Sequence, residues 1–186
     1  LYGMTGAIDL PHIAMQISLL GMSPLLVIAL AMIITAFGFK AAAAPFHLWA
    51  PDVYQGAPVS ASALIASASK LAGLVVFTRL LWPGLGFSAG RVMEWPIVVG
   101  WLPIVAVLAL ASLLIGNIGA LAQSNVRRLL AYSAIAHAGA LLLGVLAAGR
   151  AGPGPVFYYA ATYGLATVGA FGVVAIVDRA GRCQDL

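Results

Sequence analysis

The chain has 186 residues, of which 63% are hydrophobic and only 8% charged. A soluble domain carries about a quarter charged residues and under half apolar ones, so this balance excludes a soluble enzyme, a disordered chain and a disulfide scaffold. Nine Lys+Arg against five Asp+Glu leave a formal charge of +4, but the basic residues are scattered and form no stripe with interleaved aromatics, which excludes nucleic-acid binding. Cys183 stands alone, with neither a disulfide partner nor metal-ligand company. No strand-length alternation suggests an outer-membrane barrel. The reading is an all-α membrane protein with several spans. Leu1 in place of an initiator Met, and an abrupt end, lead us to expect a piece of a longer chain.

A spanning helix needs about 20 mainly apolar residues. The stretch 1–23 contains only a short apolar run, 13–20, and is expected to be a loop or the tail of a preceding helix. Five segments then qualify in turn, at about 24–44, 58–82, 96–122, 126–146 and 154–177. Pro24, Pro58, Pro96, Pro153 and Pro155 sit at or near helix starts, where a missing N–H costs nothing. Ser124 and Asn125 are plausible N-caps for the fourth span. Gly84, Gly86 and Gly90 mark the turn after the second span, and Gly149, Gly152 and Gly154 the turn after the fourth. Trp49, Trp82, Trp95 and Trp101 fall near predicted helix ends, which suits either an aromatic belt or packed core positions. The hairpin 45–57, the turn with Arg127 and Arg128, and the tail with Arg179 and Arg182 share one predicted side. The adjacent arginines place that side in the cytoplasm.

Most charges fall in loops; Lys40 and Lys70 do not. Lys70 lies near the middle of the second span and Lys40 late in the first. A lysine at the bilayer centre costs about 2.5–3.5 kcal/mol on insertion scales, and is usually retained where it faces a bundle interior, a water path or a counter-ion. Snorkelling to the headgroups is the plainer reading, open for Lys40 and harder for Lys70. His137, mid-way along the fourth span with Ser133 one turn before it, is either a proton-relay group or a packed histidine bonded to a neighbouring helix. In KAAAAPFHLWAPDVYQGAP, Pro45 breaks the first span just past Lys40. Broken helices build ion sites in transporters; in an ordinary hairpin, His47 and Asp52 would instead be solvated. Tyr158, Thr162 and Tyr163 lie on adjoining parts of one face of the fifth span. There is no phosphate loop, dinucleotide fingerprint, facing carboxylate pair, metal cluster or nucleophile elbow, so no self-contained catalytic site is expected. Charge movement through a membrane remains.

Two blocks carry a family resemblance. GFKAAAAPFHLWAPDVYQGAPVSASALIASASK, 38–70, resembles the signature of antiporter-like membrane subunits of proton-pumping NADH:quinone oxidoreductase, respiratory complex I. Within that family PFHLWAPDVYQGAP is most similar to the subunit N branch, whereas the L and M branches read closer to PLHTWLPDA. GNIGALAQSNVRRLLAYSAIAHAG, 116–139, resembles the same family, with Arg127 where a Lys is usual and Ala134 and Ala136 where two Ser are usual. The Ser losses weaken a hydroxyl wire on that helix.

The resemblance implies about fourteen helices in two inverted repeats, with this chain as the seventh to eleventh. Residues 24–82 would close the first repeat, 83–95 would be a loop, 96–178 would open the second repeat, and 179–186 would be a loop tail. It implies that Lys40 is the lysine of the broken helix, that Lys70 passes the proton towards the subunit centre, and that His137 lies on the second repeat's hydrophilic axis. His47, Pro45, Asp52, Tyr132 and Ser133 are implied supports. A glutamate and a further lysine of that axis would lie outside this sequence. The implied role is a non-redox subunit of a proton translocase, without a cofactor of its own, in a complex carrying FMN, iron–sulfur clusters and quinone. The implied partners are neighbouring antiporter-like subunits and the lipid of a bacterial cytoplasmic (inner) membrane. The rival readings are a subunit of a multi-subunit Na⁺/H⁺ or K⁺/H⁺ antiporter, against which the VYQGAP wording argues, and a structural spacer tolerant of neutral residues at Lys40 and Lys70.

Overall fold

A computed structural model describes residues 1–90 and 100–179, and among these the chain forms only helices and turns. In chain order the helices are α1 (Tyr2–Thr5), α2 (Leu10–Leu20), α3 (Pro24–Ala41), α4 (Trp49–Gly56), α5 (Val59–Gly84), α6 (Trp101–Leu121), α7 (Val126–Ala151) and α8 (Gly154–Arg179). Helices α3, α5, α6, α7 and α8 are long and apolar enough to cross a membrane. At 1.5 Å per residue they reach roughly 27–39 Å, against a hydrocarbon core of about 30 Å. Five spans were expected and five are found among the described residues. The expected start of the third span at Pro96, along with Trp95, Arg182 and Cys183, lies outside the described residues.

The caps explain the boundaries. Ser23 accepts from the Leu26 N–H at 3.2 Å, and Pro24 starts α3 where its absent donor is not missed. Of the two candidate caps before α7 it is Asn125 that serves, accepting from the N–H groups of Arg127 and Arg128 at 3.0 and 3.2 Å.

Residues 10–20 are not a loop. They form α2, capped by Asp9, whose carboxylate accepts from the His12 N–H at 3.3 Å. Ile13 and Ile17, four residues apart, are buried on one face, and Leu10 lies over Gly84 of α5. At roughly 16 Å the helix is too short to span; it packs against the end of a span instead.

The chain breaks where Pro45 predicted. Helix α3 ends at Ala42, which takes the left-handed conformation at φ 57, and the Ala43 N–H returns to the Gly38 carbonyl at 2.8 Å. The Ala44–Pro45 bond is cis. Phe46 folds over Gly38, where a Cβ would meet its ring at 2.7 Å. The Trp49 indole N–H donates to the Phe39 carbonyl at 3.1 Å, a second bond on an acceptor that the Ala42 N–H already meets at 3.1 Å. Helix α4 then runs to Gly56 and packs against α7.

Helix α5 contains two π-helical turns, Ile65–Ser69 and Leu80–Gly84. The second holds Pro83, which lacks the N–H that an α-turn would need there. Trp82 and Trp101 are core residues, not belt residues. Their rings meet edge to face at 5.0 Å, and their indoles donate to the carbonyls of Val145 and Leu85 at 2.7 and 2.9 Å.

Candidate functional site

Lys70 follows the first π turn and is only 4% exposed. That turn packs against α8, with Ser67 facing Gly164. Nζ of Lys70 donates to the Ala134 carbonyl of α7 at 2.8 Å and lies over the Tyr163 ring of α8, 5.9 Å from its centroid. A carbonyl dipole and an aromatic face thus take the place of solvent around the ammonium. Among the described residues no carboxylate pairs with it.

His137 is half-buried one turn beyond Ala134. Its Nδ1 and the Tyr159 hydroxyl share a hydrogen bond of 2.6 Å, and its ring lies against that of Tyr163 at 4.3 Å and 33°. These groups line an open groove of about 380 Å³ with Ser133, Thr162 and Thr167. His137 is thus bonded to a neighbouring helix and also faces open space. The face of α8 that meets it is Tyr159, Thr162 and Tyr163. Tyr158 points outward and is 74% exposed, so the expected Tyr158–Thr162–Tyr163 face is corrected by one residue. The i, i+4 spacing of Tyr159 and Tyr163 was the signal that sequence reasoning missed.

Lys40 occupies the last turn of α3 and is exposed. Its side chain crosses α5 at Gly73, three residues beyond Lys70, where a Cβ would sit 3.3 Å from Lys40 Cγ. It lies in an apolar groove of about 470 Å³ between α3 and α5, with Phe37, Val76 and Phe77 among the walls. Phe37 and Phe77 stack at 3.8 Å beneath it. The described residues bring Lys70 and His137 together but leave Lys40 apart from them, in the exposed groove between α3 and α5.

The supporting residues divide. His47 is buried at the break, not solvated, and its Nδ1 has no hydrogen-bond partner among the described residues. Pro45 is exposed. Ser133 lines the histidine groove, whereas Tyr132 turns towards α6 and covers Gly119. Asp52 is at the surface, where Arg128 donates to it at 2.6 Å and to Gln55 Oε1 at 3.0 Å. Arg127 donates to the Gln55 carbonyl at 3.1 Å and pairs with Asp178. The hairpin, the α6–α7 turn and the end of α8 therefore meet at one end of the bundle, as the loop pattern predicted.

The whole chain, residues 1–186, matches the family described as NADH:quinone oxidoreductase/Mrp antiporter, TM. NADH-quinone oxidoreductase subunit N 2 of Acidobacterium capsulatum is 49% identical over 181 residues, covering 97% of this chain and 36% of the relative. NADH-quinone oxidoreductase subunit N of Desulforamulus reducens is 44% identical over 185 residues, covering 100% and 37%. Among solved structures, a chain of respiratory complex I from Thermus thermophilus with bound aureothin aligns with a TM-score of 0.70 at 38% identity, covering 93% of this chain and 34% of that one. A chain of the membrane-bound sulfane sulfur reductase, an archaeal respiratory membrane complex, aligns with a TM-score of 0.78 at 26% identity, covering 95% and 34%. This chain thus spans just over a third of the length of the curated relatives it matches. Five apolar spans and a transmembrane family match over its full length make it a multi-pass membrane protein.

Proposed function

The chain belongs to the NADH:quinone oxidoreductase/Mrp antiporter membrane family, and from that premise we propose that it supplies part of the proton-translocating subunit N of a respiratory NADH:quinone oxidoreductase. In this reading Lys70 and His137 are consecutive proton carriers. The observation that carries it is a buried lysine with no carboxylate partner among the described residues, held by the carbonyl of Ala134 one turn before a histidine that opens onto a groove lined in part by Ser133, Thr162 and Thr167. Family membership and relatives named subunit N support the assignment.

Lys40 is the input in this reading. Its groove is apolar and open, so a carboxylate brought there from elsewhere in the longer protein would meet little competition from water. At an effective dielectric of about 20, a charge pair at 4 Å is worth roughly 4 kcal/mol, a factor of about a thousand in proton occupancy. Moving the carboxylate in and out would hold the proton on Lys40 or release it past Gly73 towards Lys70. The neighbours would be other membrane subunits of the complex, and the membrane a bacterial cytoplasmic membrane. The Arg127–Arg128 end would lie in the cytoplasm.

The test is Lys70→Ala, with Lys70→Met as a size-matched companion, in the full-length protein within its complex. Proton uptake by inside-out vesicles, per assembled complex, is expected to fall at least tenfold in both. Wild-type uptake in either variant, with assembly intact, would sink the relay. Uptake driven by NADH oxidation separates this reading from an Mrp-type antiporter, in which a cation gradient drives the proton.

A further inference from the structure

Three aromatic and cationic groups meet at one point that the relay does not explain. The Tyr163 ring carries Lys70 Nζ over it at 5.9 Å and the His137 ring against it at 4.3 Å. The ring is therefore common to both proton carriers. Lys70 comes from α5, His137 from α7 and Tyr163 from α8, so the contact also joins three spans. An aromatic face attracts a cation, most strongly where water is excluded. Either carrier, when protonated, presents a cation to this ring, and two cations sharing one ring repel each other. One proton at a time is thereby favoured on the pair.

We propose that Tyr163 is the positioning residue for proton transfer between Lys70 and His137, its ring acting as a cation host shared by the two. The proposal rests on the relay reading above. The ring, not the hydroxyl, is the working part: Nζ reaches it face-on, and the hydroxyl that His137 bonds is that of Tyr159. The other titratable groups packed in the same cluster are Tyr54 of α4 and Tyr132 of α7, which are also aromatic alcohols and bring no charge of their own.

The experiment compares Tyr163→Phe, Tyr163→Leu and Tyr163→Met in the full-length protein within its complex, with Lys70→Met alongside. Proton uptake per assembled complex is the readout. Phe keeps the π face and is expected to pump within about twofold of wild type. Leu and Met keep bulk without the π face and are expected to lose about tenfold, the size of a desolvated cation–π contact. Rescue by Phe is what a packing role alone would not require. Wild-type uptake in the Leu and Met variants overturns the proposal, as does a loss in Phe equal to that in Leu, which would assign the role to the hydroxyl. Failure of both aliphatic variants to assemble makes Tyr163 a packing residue and also overturns it. Normal uptake in Lys70→Met instead removes the relay itself, which keeps the two failures apart.

Discussion

The break in the chain leans on Ser112. Past Ala42 the backbone leaves the helical ladder, and the Ala44 N–H has no carbonyl to find. It donates to Ser112 Oγ at 2.8 Å, in a fully buried site, while that hydroxyl donates to the Leu108 carbonyl at 2.7 Å. Removing the oxygen leaves a buried donor unmet, at about 1–3 kcal/mol. Ser112→Ala is expected to lower the thermal midpoint of the detergent-solubilised protein accordingly, and an unchanged midpoint would show the break to be held by packing alone. The sequence hides this residue for a physical reason: a serine in an apolar span reads as helix packing, and its partner is 68 positions away. Lys70 and His137 are legible for the opposite reason. An ionisable side chain in an apolar run is expensive wherever it goes, so its position alone points to a compensated environment. Tyr159 sits between these cases. It is visible as a tyrosine, but the choice between it and Tyr158 turns on helix phase, and both share a face with Thr162, at i+3 and i+4.

At the scale of elements, α6 and α7 pack backbone against backbone. A Cβ on Gly116 would meet the Ala136 backbone at 2.5 Å, and one on Gly139 would meet the Ala109 carbonyl oxygen at 2.7 Å. Neither neighbour can move without moving a helix. Small residues at these positions let the backbones approach, which is what drives helix association where lipid is as apolar as the side chains. Gly139→Ala is expected to cost about 1–3 kcal/mol through overpacking. Gly169→Ala, on α8 with nothing within 4 Å of its added methyl, is expected to be neutral or stabilising by up to about 1 kcal/mol from helix propensity. Equal midpoints for the two variants would refute the close approach. The spans themselves were readable from length and hydropathy. The two π turns of α5 were not, because the single-residue slip of a π turn changes neither the length nor the hydropathy of the span. Helix α2 was missed because the length test for spans does not look for a short helix that buries one stripe.

At the scale of the whole molecule, two adjacent arginines tie α4 and the end of α8 to the start of α7. Arg128 reaches α4, the limb beyond the break that follows Lys40, while Arg127 reaches both the end of α4 and the end of the helix that carries Tyr159 and Tyr163. Their surroundings differ, and so their worth should differ. The carboxylate of Asp52 is 75% exposed, so its pair with Arg128 is screened; exposed pairs give about 0.2–1 kcal/mol. A double-mutant cycle with Asp52→Asn and Arg128→Gln is expected to return a coupling of that size, vanishing near 1 M salt, where the Debye length falls to about 3 Å. Arg127 and Asp178 are mostly covered, at 24% and 22% exposure. Arg127→Gln would leave a part-buried carboxylate and the Gln55 carbonyl without their donor, at about 1–3 kcal/mol. Thermal midpoints of the detergent-solubilised protein at low and high salt decide the order. Arg127→Gln must be the costlier and the less salt-sensitive change, and the reverse order would mean that the break and the histidine groove are held in register by some other contact.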